Sequence, residues 1–156
     1  MTPLRSLVGR MIRGHVERQA RRASLAELTD RLEANGRTLA QRFAAQSDGD
    51  GVRETLRHVV GIERWGQRRL RVALGEAPEP GGHRPYRPPD EAGLDALRVA
   101  FATTRADTVA LARALAREEP APDLRIAHDD LGPISVGAWL AYLDGHALME
   151  ARRRLR

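Results

Sequence analysis

SVGAWLAYLDGHALME, residues 135–150, carries the clearest helical pattern in this chain. Ser135 follows Pro133 closely and is a favourable N-cap, because its hydroxyl can accept a hydrogen bond from the first turn of a helix. Apolar residues then recur every three or four positions, as in a helix with one buried side: Val136, Trp139, Leu140, Leu143 and Ala147. The segment predicts a helix that starts at Ser135, runs to the carboxyl terminus and buries this side.

Three earlier segments have the same periodicity and complete a bundle. They are residues 24–46, 52–74 and 90–117, separated by segments rich in glycine, proline or polar residues at 47–51, 76–89 and 118–133. Ser24 and Glu27 have the spacing of a capping box, and Asp90 is a plausible cap for the third helix. No run alternates as a strand does. The sequence therefore predicts an all-α four-helix bundle over residues 24–156.

The first 23 residues differ from the rest in charge. All 26 basic residues of the chain are arginine, and the net charge is +5. Six arginines against Glu17 in residues 1–23 account for this excess, since the remaining 20 arginines balance 20 acidic residues. Residues 4–20 are weakly amphipathic, so we expect a basic N-terminal helical extension, 1–23, ahead of the domain at 24–156.

Composition excludes several classes of function. The chain has no cysteine, so any metal must be held by nitrogen and oxygen. No apolar run approaches the roughly 20 residues of a membrane span, and arginines interrupt the amino terminus where a signal peptide would be apolar. We therefore expect a cytoplasmic protein. Aromatic residues are 4% of the chain, too few for a base-stacking platform, and nucleic-acid binding is not expected beyond the extension.

Three polar residues fall where the helical phase predicts core. His146 and Glu150 lie one turn apart on the buried side of the last helix, and a buried carboxylate is costly unless it has a partner. His58, on the second helix of the predicted bundle, groups with the apolar residues of that helix. Two imidazoles and a carboxylate can bind one divalent cation and leave positions open for water or substrate, but they do not choose among Zn, Ni, Fe and Mn.

The alternative is a core without metal. In that case Glu150 pairs with an arginine, for which Arg105 is the obvious candidate from its helical phase. Glu63 also points into an apolar arc without a ligand-like neighbour on its helix, so we interpret Glu63 and Arg105 as members of a structural ion pair. The other histidines lie in the extension or in loops and are interpreted as surface or loop residues and not as ligands: His15, His83 and His128. The loop that carries His128 can also close over one end of the bundle.

Three segments resemble the DinB-like, or YfiT-type, four-helix bundles: LRHVVGIERWGQRRL (56–70), HDDLGPISVGAWLAYLDGHALMEARRRL (128–155) and SLAELTDRLEANGRTLA (24–40). The resemblance covers about residues 24–156. That family binds metal through one histidine on its second helix and an H-x-x-x-H pair on its last. His58 and His146 match the first two positions. Glu150 replaces the third histidine, which either alters the metal preference or marks a chain that has lost the metal.

The resemblance also implies a function. Family members of known activity are thiol-dependent transferases and isomerases, in which the metal activates a low-molecular-weight thiol. We therefore expect a stress-related metal-dependent transferase or hydrolase acting on a small-molecule substrate, with Trp65 and Tyr142 as pocket walls. Family members commonly dimerise, so a homodimer is implied. The alternatives are a non-enzymatic stress or interaction bundle without metal, and a binder of anionic surfaces or nucleic acid through residues 1–23.

Overall fold

Five helices packed against one another form most of the molecule. The computed structural model describes residues 3–155, with side chains from residue 7 onward. The helices are α1 (Pro3–Arg22), α2 (Leu25–Ala44), α3 (Asp50–Leu70), α4 (Leu94–Glu118) and α5 (Val136–Arg154). The apolar stripes predicted for α2 to α5 face the core, where Leu32, Leu56, Leu97 and Trp139 have no exposed surface. None of the described helices is long and apolar enough to cross a bilayer.

The helix starts follow local capping chemistry. Ser24 Oγ accepts the backbone N–H of Glu27 at 3.1 Å, and the Glu27 carboxylate accepts that of Ser24 at 2.7 Å, which is the predicted capping box. The Ser135 hydroxyl likewise accepts the N–H of Ala138 at 3.1 Å. The predicted cap at Asp90 is wrong, since α4 begins at Leu94.

The segment before α4 is held in a non-helical conformation by α3. Arg57 donates hydrogen bonds to the backbone carbonyls of Pro89 and Asp90. These contacts tie the segment to α3, and α4 begins after it, at Leu94.

The basic extension is the helix α1, which packs along α5. Val16 of α1 is 4% exposed and belongs to the same apolar core as residues of α2 and α5. The carboxylate of Glu17 accepts hydrogen bonds from the backbone N–H and the hydroxyl of Ser135, each at 2.9 Å. The helix predicted at residues 4–20 is therefore present, within α1 (Pro3–Arg22). The domain boundary at residue 23 stays a prediction.

A short β-hairpin precedes α5, and the expectation of a chain without strands is wrong. Strand β1 (Ile126–His128) pairs in antiparallel register with β2 (Gly132–Ile134). Gly132 closes the turn with φ of 73°, in the left-handed region that favours glycine. Pro133 in β2 argues against a strand at the level of sequence, because proline lacks the N–H that a central strand needs. It is tolerated here because each strand of a two-stranded hairpin has one edge that is not hydrogen-bonded to another strand.

Candidate metal centre

Three side chains from two packed helices meet at one point. His58 lies on α3, while His146 and Glu150 lie one turn apart on α5. Each residue offers one ligand atom, and these atoms all lie within 4.8 Å of one another. The rings of His58 and His146 have their centroids 5.0 Å apart. The three residues singled out from the sequence are thus close enough to hold a metal ion.

The two imidazoles of this triad are neutral and free to bind. Within residues 7–155, the imidazole hydrogen bonds belong to His15 and His128, and neither His58 nor His146 has one. Burial lowers the pKa of His58, although the charge of Glu150 opposes this. Burial, and then the charge of His58, lowers the pKa of His146 to about 3. Both rings are therefore unprotonated near neutral pH, as metal binding requires.

The Glu150 carboxylate is buried, with one oxygen lacking a hydrogen bond. The residue is 4% exposed, and its Oε2 has no hydrogen-bonded partner among the described residues. Arg154 Nε lies 2.9 Å from that oxygen, an ion-pair contact that is not aligned as a hydrogen bond. Arg153 is more distant, with 3.8 Å between its Nη1 and Oε1. The arginines beside Glu150 thus come from its own helix, and Arg105, the sequence candidate, is not its partner.

Glu63 and Arg105 instead contact each other elsewhere in the core. Arg105 Nε donates to Glu63 Oε1 at 2.7 Å, between α4 and α3. Arg105 also bonds Asp144 of α5. Neither residue of this pair belongs to the metal triad.

His128, interpreted as a surface or loop residue and not a ligand, ends strand β1 and is buried, with 3% of its surface exposed. Its ring centroid lies 4.4 Å from that of Tyr142, 4.8 Å from Trp139 and 5.1 Å from Trp65. Its Nδ1 accepts the backbone N–H groups of the hairpin turn, so Nε2 carries the proton, and this atom is buried without a partner. Burial lowers the pKa of His128 to about 4.

His83 lies in the proline-rich loop, as predicted, and is half-buried beside the triad. Its ring centroid lies 5.3 Å from that of His58. Burial, together with the charges of Arg87 and Arg84, lowers the pKa of His83. Nothing in the proline-rich segment around His83 signals this position, because it depends on how the loop folds back onto α3.

A cavity of about 370 Å³ lies between α1 and α5 and reaches the triad. Its lining includes Met11, Ile12, Val16, Tyr142, His146 and Met149. Tyr142 therefore lines a pocket next to a candidate ligand, and burial raises the pKa of its hydroxyl above the ordinary value. Trp65 does not line this cavity. It is 4% exposed in the core, where its Nε1 donates to the Gly81 carbonyl at 3.0 Å.

Comparisons with known proteins identify no relative of this chain. The chain matches no protein-family model, and no curated protein or solved structure is significantly similar to it. Fold and site together define the class: an all-helical domain of five helices, with a small β-hairpin and a candidate His/His/Glu metal triad.

Proposed function

We propose that this chain is a metal-dependent enzyme of the DinB-like type, with His58, His146 and Glu150 as the protein ligands of one divalent cation. The observation that carries the proposal is the convergence of two unbonded imidazoles on a buried carboxylate that keeps one oxygen without a hydrogen bond. Oε2 has an ion-pair contact with Arg154 but no aligned hydrogen bond, so a cation can bind this oxygen in place of the guanidinium. The family in this proposal is inferred from the resemblance of residues 24–40, 56–70 and 128–155 alone.

The three protein ligands of the triad are typical of a catalytic metal site. Structural zinc sites usually have four protein ligands, whereas catalytic sites have three and leave a position for water or substrate. When bound, a divalent cation lowers the pKa of a coordinated thiol or water and so supplies a nucleophile at neutral pH. We therefore propose a thiol-dependent transferase. If water is the nucleophile in place of the thiol, the same site would be a hydrolase.

The cavity between α1 and α5 is the proposed place for the substrate. Most of its wall is apolar, as in sites for small organic molecules, and His146 and Tyr142 supply the polar groups. Met11 and Ile12 belong to the extension, so α1 takes part in substrate binding in this proposal. A compound with an apolar body and one polar reactive group matches these walls best.

The test is elemental analysis of the protein purified without a histidine tag. We expect about one equivalent of divalent metal per chain, and loss of that metal in both His58→Ala and His146→Ala. The control for metal content is His15→Ala, because His15 is exposed, is bonded to Gln19 of its own helix and lies outside the ligand triad, although it lines the cavity. Circular dichroism establishes that each variant keeps its helices.

The competing function is a non-enzymatic bundle, in which Arg154 alone neutralises Glu150. Metal retained in both triad variants would remove the proposed site. A folded wild-type protein that neither carries metal nor takes up added zinc would favour the non-enzymatic bundle. Screening for transfer of a low-molecular-weight thiol to small electrophiles is worthwhile after the metal has been found.

A further inference from the structure

A third imidazole lies at the edge of the candidate metal centre. His83 is carried by the loop between α3 and α4, and its ring lies against that of His58 with an interplanar angle of 80°. Like those of His58 and His146, its ring nitrogens take part in none of the hydrogen bonds found within residues 7–155. Three neighbouring imidazoles thus lack hydrogen-bonded partners in one place.

The separations of the His58 ring from the rings of His146 and His83 match those of imidazoles bound to one ion. Two imidazoles bound to a tetrahedral zinc at about 2.0–2.1 Å have centroids roughly 5 Å apart. The ring of His58 lies 5.0 Å from that of His146 and 5.3 Å from that of His83. His83 lies outside the group whose ligand atoms are all within 4.8 Å of one another. Its side chain is half-buried, and binding of the shared ion therefore requires His83 to change rotamer and bring a nitrogen closer.

The loop is anchored so that His83 stays at the site. Two side chains of α3 hold the carbonyl of Gly81: Trp65 Nε1 donates to it at 3.0 Å and Arg69 at 2.9 Å. Arg69 also binds Asp129 of the hairpin at 2.9 Å, which ties the loop, α3 and the hairpin together. Gly81 has φ of 105°, a conformation that glycine adopts readily, and the chain turns there just before His83.

We propose that His83 is a fourth protein ligand of the cation held by His58, His146 and Glu150. This inference rests on the proposed function. The helices supply three ligands in fixed positions, and the loop supplies the fourth. A ligand carried by a loop is the one that an incoming thiol or substrate can displace at the least structural cost, so His83 closes the site until a substrate arrives.

The test uses cobalt(II) as a spectroscopic substitute for zinc in the full-length protein. We compare wild type, His83→Ala, His58→Ala and the surface control His15→Ala. Competition with a chelator gives the affinity, and the visible absorption of cobalt reports coordination number. We expect His83→Ala to keep one cobalt per chain, to bind it at least tenfold more weakly and to show a changed visible spectrum, because water replaces an imidazole.

The outcomes separate this inference from the proposed function. Cobalt binding that is lost in His58→Ala but unchanged in affinity and spectrum in His83→Ala would overturn the role of His83 and leave the triad intact. A wild-type protein that binds no cobalt would overturn both. His83 lies on a loop, and circular dichroism of His83→Ala matching that of wild type excludes loss of fold as the cause of weaker binding.

Discussion

Arg105 and Glu63 form a doubly hydrogen-bonded ion pair between α4 and α3, with Nε–Oε1 at 2.7 Å and Nη2–Oε2 at 3.1 Å. The two residues are 4% and 1% exposed. The remaining Nη1 donates to the Leu32 carbonyl at 3.0 Å and to Asp144 at 3.2 Å. Burial on its own would lower the pKa of Arg105, but the carboxylates of Glu63 and Asp144 raise it above the ordinary value. This network joins α2, α3, α4 and α5 in the core.

Glu63→Gln should destabilise the protein strongly, because it leaves a buried guanidinium facing a neutral amide. Removing one partner of a buried pair costs about 3–5 kcal/mol, to be measured as the free energy of unfolding in urea. The control is Glu33→Gln, since Glu33 binds Arg113 at the surface, where the arginine side chain is 53% exposed. If both variants lose the same small amount, the buried pair does not support the fold.

Arg154→Ala should strengthen metal binding, because its guanidinium lies 2.9 Å from Glu150 Oε2 and competes with a cation for that oxygen. We expect the zinc affinity to rise several-fold, measured by competition with a chelator. The matched control is Arg153→Ala, because Arg153 is a more distant arginine of the same turn and its side chain is 67% exposed. Weaker zinc binding in Arg154→Ala than in the control would show that the arginine orients the carboxylate for the metal.

Much of this arrangement follows from the sequence, since helical phase is a local property. The i, i+4 spacing of His146 and Glu150 places both on one side of α5. On α3, the arginines mark the solvent-facing side, and His58 lies on the other side. Helical phase could not predict the positions of His83 and His128, which lie outside the long helices. Their burial is made by residues distant in the chain: Trp65 and Trp139 cover His128, and Trp65 and Arg69 hold the loop that carries His83.

The buried His128 should make the metal-free protein less stable in acid. Its pKa is 6.5 when unfolded and about 4 when folded, so its contribution is fully present above pH 6.5 and is lost as the pH falls towards 4. One such histidine contributes about 3 kcal/mol across this window. His128→Asn will be less stable at pH 7, yet its free energy of unfolding should fall less between pH 6.5 and 4 than that of wild type. Parallel pH curves for the two proteins would contradict this assignment.

Gly66→Ala should loosen the contact between the two helices that carry the metal triad. A Cβ at Gly66 of α3 would lie 2.5 Å from Leu143 Cδ2 and 2.9 Å from Cδ1 on α5, closer than real Cβ atoms approach. Leu143 is 1% exposed, so its side chain would have to shift within the packed core. Overpacking of this kind costs about 1–3 kcal/mol.

Because Leu143 lies one turn before His146, Gly66→Ala should weaken zinc binding as well as lower the free energy of unfolding. The matched control is Gly51→Ala, also on α3, where an added Cβ meets nothing within 4 Å. Alanine favours helix over glycine by up to about 1 kcal/mol, so the control should be unchanged or slightly more stable. A Gly66→Ala protein that is destabilised but binds zinc with unchanged affinity would show that the triad tolerates separation of α3 from α5. One that behaves like the control in both measurements would show that the helices are not in tight contact at this crossing.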